Sequence, residues 1–191
     1  MRRSSHRSTR RYISALAIVA TAVTVLGSAA AGTAKTAAPP KAGPIAILAT
    51  LDNDGPTSKI IVAGAIGDWG TAVTIDQNGK PDPNGNYVKV TLKKGGFEID
   101  STALNKVTAN PQPQVASDAT CSVSASGSAP VTLFNGTGLY QGISGTADAT
   151  LTFTGVGGRY ASGPKKGQCE RNNTPLAVLA TVVAHGTVHF A

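Results

Sequence analysis

The chain has 191 residues, a formal charge of +7, 41% apolar residues and only two cysteines. Five of its 17 Lys and Arg are Arg2, Arg3, Arg7, Arg10 and Arg11, and without that cluster the remainder carries +2. So small a charge, with no basic run interleaved with aromatics, argues against nucleic acid as a partner, and two cysteines alone cannot close a structural zinc site.

The arginines are followed by an apolar run from Ile13 to about Gly27 and by the small residues Ser28-Ala29-Ala30-Ala31, the order found in a cleavable export signal. Residues 1–31 are expected to be removed after Ala31, with Ala34 the second choice. Arg10-Arg11-Tyr12-Ile13 is similar to a twin-arginine signal, but Ser14 stands where another bulky apolar residue belongs, so the general secretory route stays open beside it. The run nearly reaches bilayer length, yet Ala and Thr dominate it and a cleavage motif follows, so no stable membrane span is expected after cleavage. The mature protein is expected to be secreted or associated with the cell envelope.

Residues 32–44 are Ala, Thr, Lys, Pro and Gly without apolar periodicity, and read as a disordered linker. Residues 45–191 read as one β domain. Ile45–Leu51 is a buried strand, turned by Asp52-Asn53-Asp54-Gly55-Pro56. Ser58–Asp68 follows, bent at Gly64 and Gly67, and Thr71–Asp76 continues it after an Asp68-Trp69-Gly70 corner. Gln77–Asn86 is a loop. Tyr87–Leu92 alternates with Val88, Val90 and Leu92 inward, and Lys93-Lys94-Gly95-Gly96 turns the chain into Phe97–Asp100. Ser101–Lys106 reads as one helical turn capped by Ser101.

After a loop at Asn110–Gln114, Ala119–Ala125 places Cys121, Val123 and Ala125 on one face. Pro130–Asn135 is the next strand, and a glycine-punctuated turn leads into Thr146–Gly155, where Ala147, Ala149, Leu151 and Phe153 alternate with polar residues. Gly157–Asn173 is a loop carrying Cys169; in an exported protein the even pair points to a Cys121–Cys169 disulfide. The last strand, Leu176–Phe190, carries its apolar residues at even positions from Leu176 to Phe190. Eight or nine strands with one short helix predict an all-β domain, an antiparallel eight-stranded β-barrel with a β-sandwich as the alternative. Glycine-interrupted long strands favour the barrel because they suit coiling and closure.

The segment Gly136-Thr-Gly-Leu-Tyr140-Gln-Gly142-Ile-Ser-Gly145, followed by an alternating strand, resembles the motif of the allene oxide cyclase and dirigent barrel superfamily, which includes small secreted bacterial members. The resemblance implies an eight-stranded antiparallel barrel with an apolar central cavity, often assembled as a homo-oligomer. Gly136, Gly138, Tyr140, Gly142 and Gly145 match turn and strand positions that are structural in that family. The polar residues that plant cyclases use for chemistry have no counterpart placed here, so the resemblance does not carry cyclase activity.

Trp69, Tyr140, His185 and His189 are the candidate ligand-binding residues. Four residues of strand span about 13 Å, so His185 and His189 cannot share an ion unless their segment is helical. If their face lines the barrel, one of them could act as acid or base. Asp52-Asn53-Asp54-Gly55 and Asp76–Asn86 space oxygens and glycines as calcium loops do, but neither has the EF-hand ligand order and Asx turns account for both. No Gly-x-Ser-x-Gly elbow is present, and neither metal nor cofactor is expected. The function expected is binding of a small apolar molecule or an extracellular interaction, with an isomerase or cyclase acting in the cavity, or a cell-envelope structural protein, as alternatives.

Overall fold

The computed structural model describes residues 41–51, 57–109, 113–170 and 175–191. The export signal, its cleavage site, residues 32–40 of the linker and the Asp52-Asn53-Asp54-Gly55 turn lie outside the described residues.

Alternation of apolar and polar side chains produces a succession of strands: β1 (Ala42–Leu51), β2 (Thr57–Gly64), β3 (Asp68–Ile75), β4 (Tyr87–Leu92), β5 (Gly95–Asp100), β6 (Pro113–Ser117), β7 (Ser122–Gly138), β8 (Ser144–Val156) and β9 (Ala177–His189). Every pairing is antiparallel, in the order β5-β4-β3-β2-β1-β9-β8-β7-β6. The C-terminal part of β7 also pairs with β5, Ile99 opposite Leu133, and this contact closes eight strands into a barrel. Closure leaves those strands no open edge. The ninth strand, β6, pairs only with the N-terminal part of β7, outside the ring.

Several local readings change. β1 begins at Ala42, inside the segment read as linker, because residues 42–44 continue the ladder with His189, Val188 and Thr187. The corner after β2 falls at residues 65–67 and not at Asp68-Trp69-Gly70: Gly64 (φ 82°) and Gly67 (φ 56°) supply the left-handed backbone, and Asp68 opens β3. The two short strands read across residues 119–135 are one strand of 17 residues. β6 went unread because its Pro-Gln-Val-Ala-Ser sequence has a single large apolar residue, Val115, which is exposed.

Between β5 and β6, α1 (Thr102–Thr108) is the only helix among the described residues, and none there is long and apolar enough to cross a membrane. Ser101 does not cap it through its side chain. Its hydroxyl donates instead to the Asn86 carbonyl at 2.9 Å, while the Asp100 carboxylate accepts from the Thr102 amide at 2.9 Å.

Cys121 and Cys169 form the expected disulfide. Beside it, Arg159 donates to the carbonyls of Asp118 (3.0 Å), Ala119 (2.7 Å) and Gly167 (2.6 Å). Disulfide and guanidinium together staple the loop after β8 to the turn before β7.

Candidate functional site

The barrel interior is unequal along its length. At one end large side chains fill it: Phe97, Leu133, Val62 and Val188 are buried, and Tyr140 and Ile143 enter from the turn between β7 and β8. At the other end several inward positions on four strands are alanine: Ala49, Ala72, Ala149, Ala180 and Ala184. Eight-stranded barrels are just wide enough for ordinary side chains to fill them. Methyl groups at these positions leave a cavity of about 670 Å³, within the range of small-molecule sites.

Ile47, Ile60, Ile99, Val131, Leu151 and Val182 complete its apolar wall. Ser58 of β2 and Thr74 of β3 add hydroxyls to the wall, and the rest of the polar lining gathers at the mouth, where Asn84–Asn86 of the loop before β4 meet Ser101 and the α1 residues Asn105 and Thr108. The Asn105 Nδ2 donates to the Gly85 carbonyl at 3.0 Å and to the Asn86 Oδ1 at 3.2 Å, fixing helix to loop. Thr108 returns its hydroxyl to the Leu104 carbonyl at 2.8 Å. Among the described residues, no Asp, Glu, Lys, Arg or His lines the cavity.

The filled end is organised around Asp68, which is 6% exposed. Its Oδ2 accepts from the Tyr140 hydroxyl at 2.7 Å and the Lys94 amide at 2.9 Å, and its Oδ1 from the Trp69 amide at 2.8 Å. Desolvation pushes this carboxyl up, but the hydrogen bonds from Tyr140, Trp69 and Lys94, with the Lys94 charge, outweigh it and hold the group below the usual carboxylate range. The same contact acts oppositely on Tyr140: desolvation first, then the Asp68 hydrogen bond and charge, raise the phenol well above its ordinary value. Phe97 packs edge-on to the Tyr140 ring, with centroids 6.3 Å apart.

The glycine motif makes this plug. The turn from Gly138 to Ile143 is closed by the Tyr140 amide to the Thr137 carbonyl (3.1 Å) and the Ile143 amide to the Tyr140 carbonyl (3.0 Å). At Gly136 a side chain would strike the Tyr140 carbonyl, so only glycine lets the turn fold back over the end of β7.

None of the four candidate ligand-binding residues lines the cavity. Ala184 and Val188 of β9 point inward, so by the period of two His185 and His189 point outward, where both are exposed. Their strand is extended throughout, which also keeps the two imidazoles apart. Trp69, 58% exposed, follows the inward Asp68 and stands on the outer surface beneath the Lys93 ammonium, 4.4 Å from its ring centroid. Tyr140 does point inward, but at the filled end. Asp76 of the candidate calcium loop is engaged by its own backbone, accepting from the amides of Asn78 (2.8 Å) and Lys80 (2.9 Å).

The residues that do shape the cavity, the inward alanines and the asparagine collar, were not singled out from sequence. The alanines were legible as small residues at core parity in four strands. The collar joins a loop to a helix about 20 positions later in the chain, and no local pattern marks that contact. No protein-family model, curated protein or solved structure matches the chain.

Proposed function

We propose that this is an exported binding protein whose barrel holds a small apolar molecule. The observation that carries the reading is the cavity of about 670 Å³, walled largely by apolar side chains and lined, among the described residues, by no titratable group. Apolar enclosure removes a ligand's surface from water at roughly 25 cal/mol per Å², and the preformed barrel spares much of the ordering cost that weakens binding. An isomerase or cyclase acting here would draw on a titratable side chain facing the ligand. The buried carboxyl among the described residues, Asp68, is engaged by three donors at the opposite end.

Fluorescence titration with the neutral apolar probe N-phenyl-1-naphthylamine tests the reading. Binding should brighten the probe, and Ala184→Leu or Ala149→Leu, which puts methyl groups into the cavity, should weaken binding by at least about tenfold with the circular dichroism unchanged. No brightening with the unsubstituted protein would overturn it.

A second reading, self-association, rests on a separate observation. Val183, Leu48, Ile61 and Trp69 are directly opposite one another across β9, β1, β2 and β3, each at least 40% exposed. The row to one side is Thr181, Thr50, Lys59 and Thr71, and the row to the other contains His185, Ala46 and Ala63. An apolar row bordered on one side by polar residues has the layout of an interface core meeting its rim, and the partner we propose is a second copy of this chain.

A further inference from the structure

We infer that the occupant of the cavity is an uncharged amphiphile: an apolar body ending in a hydroxyl or similar neutral group held at the asparagine collar. The inference rests on the reading that the cavity binds a ligand, and concerns which chemical class it takes.

The first argument is what an ionised head would meet. Among the described residues lining the cavity it would find no counter-charge, and an unpaired ion in an apolar enclosure is strongly disfavoured. At the mouth the collar residues are flanked by Asp82 and Asp100, whose carboxylates accept from the amides of Asn84 and Thr102, both at 2.9 Å. A carboxylate head would face these like charges. The cation on the same helix, Lys106, is on the exposed side of α1. An ammonium head would meet opposite charges at the mouth, and is disfavoured instead by the loss of its hydration in the apolar cavity and by its inability to accept a hydrogen bond from the collar.

The second argument is what the collar offers. Asn105 spends its Nδ2 on the Gly85 carbonyl and the Asn86 Oδ1. The contact with a carbonyl fixes which end of the Asn105 amide is the donor, and leaves Asn86 Nδ2 to donate and Asn105 Oδ1 to accept. One donor beside one acceptor, at the rim of an apolar chamber, complements a group that does both. A hydroxyl is the simplest such group. A carboxylate cannot donate and an ammonium cannot accept.

The test uses three ligands sharing a ten-carbon chain, 1-decanol, decanoate and decyltrimethylammonium, competing at pH 8 for the cavity-bound N-phenyl-1-naphthylamine. Decanol should displace the probe at a concentration at least about tenfold lower than either ion. Asn86→Leu should lower the ratio of decanol affinity to probe affinity about fivefold, the size of one hydrogen bond to a neutral group. If the probe binds but either ion displaces it as readily as decanol, the inference is overturned and the cavity reading stands. An unchanged affinity ratio in Asn86→Leu overturns the role of the amides. If the probe does not bind at all, the cavity reading fails and the inference with it.

Discussion

Asp68 joins three pieces of chain that are far apart in sequence: the start of β3, the turn between β4 and β5, and the glycine motif. Truncation by Asp68→Ala would leave the Tyr140 hydroxyl and two amides without their acceptor, and should destabilise the fold by about 3 kcal/mol in urea titration. Tyr140→Phe removes one donor from a carboxylate that keeps two, and should cost about 1.5 kcal/mol. The pH dependence has a defined sign. Asp68 titrates below its ordinary 3.8 when folded, so its contribution is present above that value and is lost as pH falls through the folded pKa. Tyr140 titrates above its ordinary 10.0, so its contribution is complete below that value and is lost as pH rises towards the folded pKa. Tyr140→Phe should therefore flatten the decline in stability above roughly pH 10; a decline as steep as in the unsubstituted protein would show that the phenol is not its source.

At the scale of elements, β7 serves two partners beside β8, closing the barrel with β5 at its C-terminal end and holding β6 at its N-terminal end. The disulfide lies at the second of these, away from the plug. With 48 positions between its cysteines, the bond restricts the unfolded chain by about 4 kcal/mol in the entropy model. Replacing both cysteines by serine should lower the melting temperature by roughly 10 °C in a domain of this size. Hydrogen exchange should quicken chiefly in β6, the start of β7 and residues 157–170, while β1 to β5 remain protected. Uniform loss of protection would mean that the disulfide holds the barrel itself.

For the whole molecule, the outer row of Val183, Leu48, Ile61 and Trp69 exists only because four strands are aligned in this register, and the self-association proposed for it is tested on the intact protein. Sedimentation velocity should show a species heavier than the monomer that Ile61→Lys converts to monomer, since a charge at the centre of an apolar interface is desolvated without a partner. A monomeric unsubstituted protein at micromolar concentration would overturn the proposal.

Much of this architecture was legible in the chain, and for local reasons. Alternation with a period of two in residues 87–92, 146–155 and 176–190 identified strands and their inward faces, because backbone geometry alone puts neighbouring side chains on opposite sides. Residues 45–51 were legible as a strand, but one read as buried, whereas Leu48 is exposed on the outer face. Glycines at 136, 138, 142 and 145 identified a tight turn, and the two cysteines their bond. Parity in β9 also held the information that Ala184 and Val188 face in and the two histidines face out. Closure of β5 on β7 was decided by tertiary structure, as were the burial of Asp68 beneath Tyr140, the meeting of Asn86 with Asn105, and the concentration of alanines at one end of the interior. Each depends on which strands become neighbours and on how far each slides along the next. Register of that kind is set by the packing of the whole barrel, through contacts between residues tens of positions apart that leave no periodic trace in any one segment.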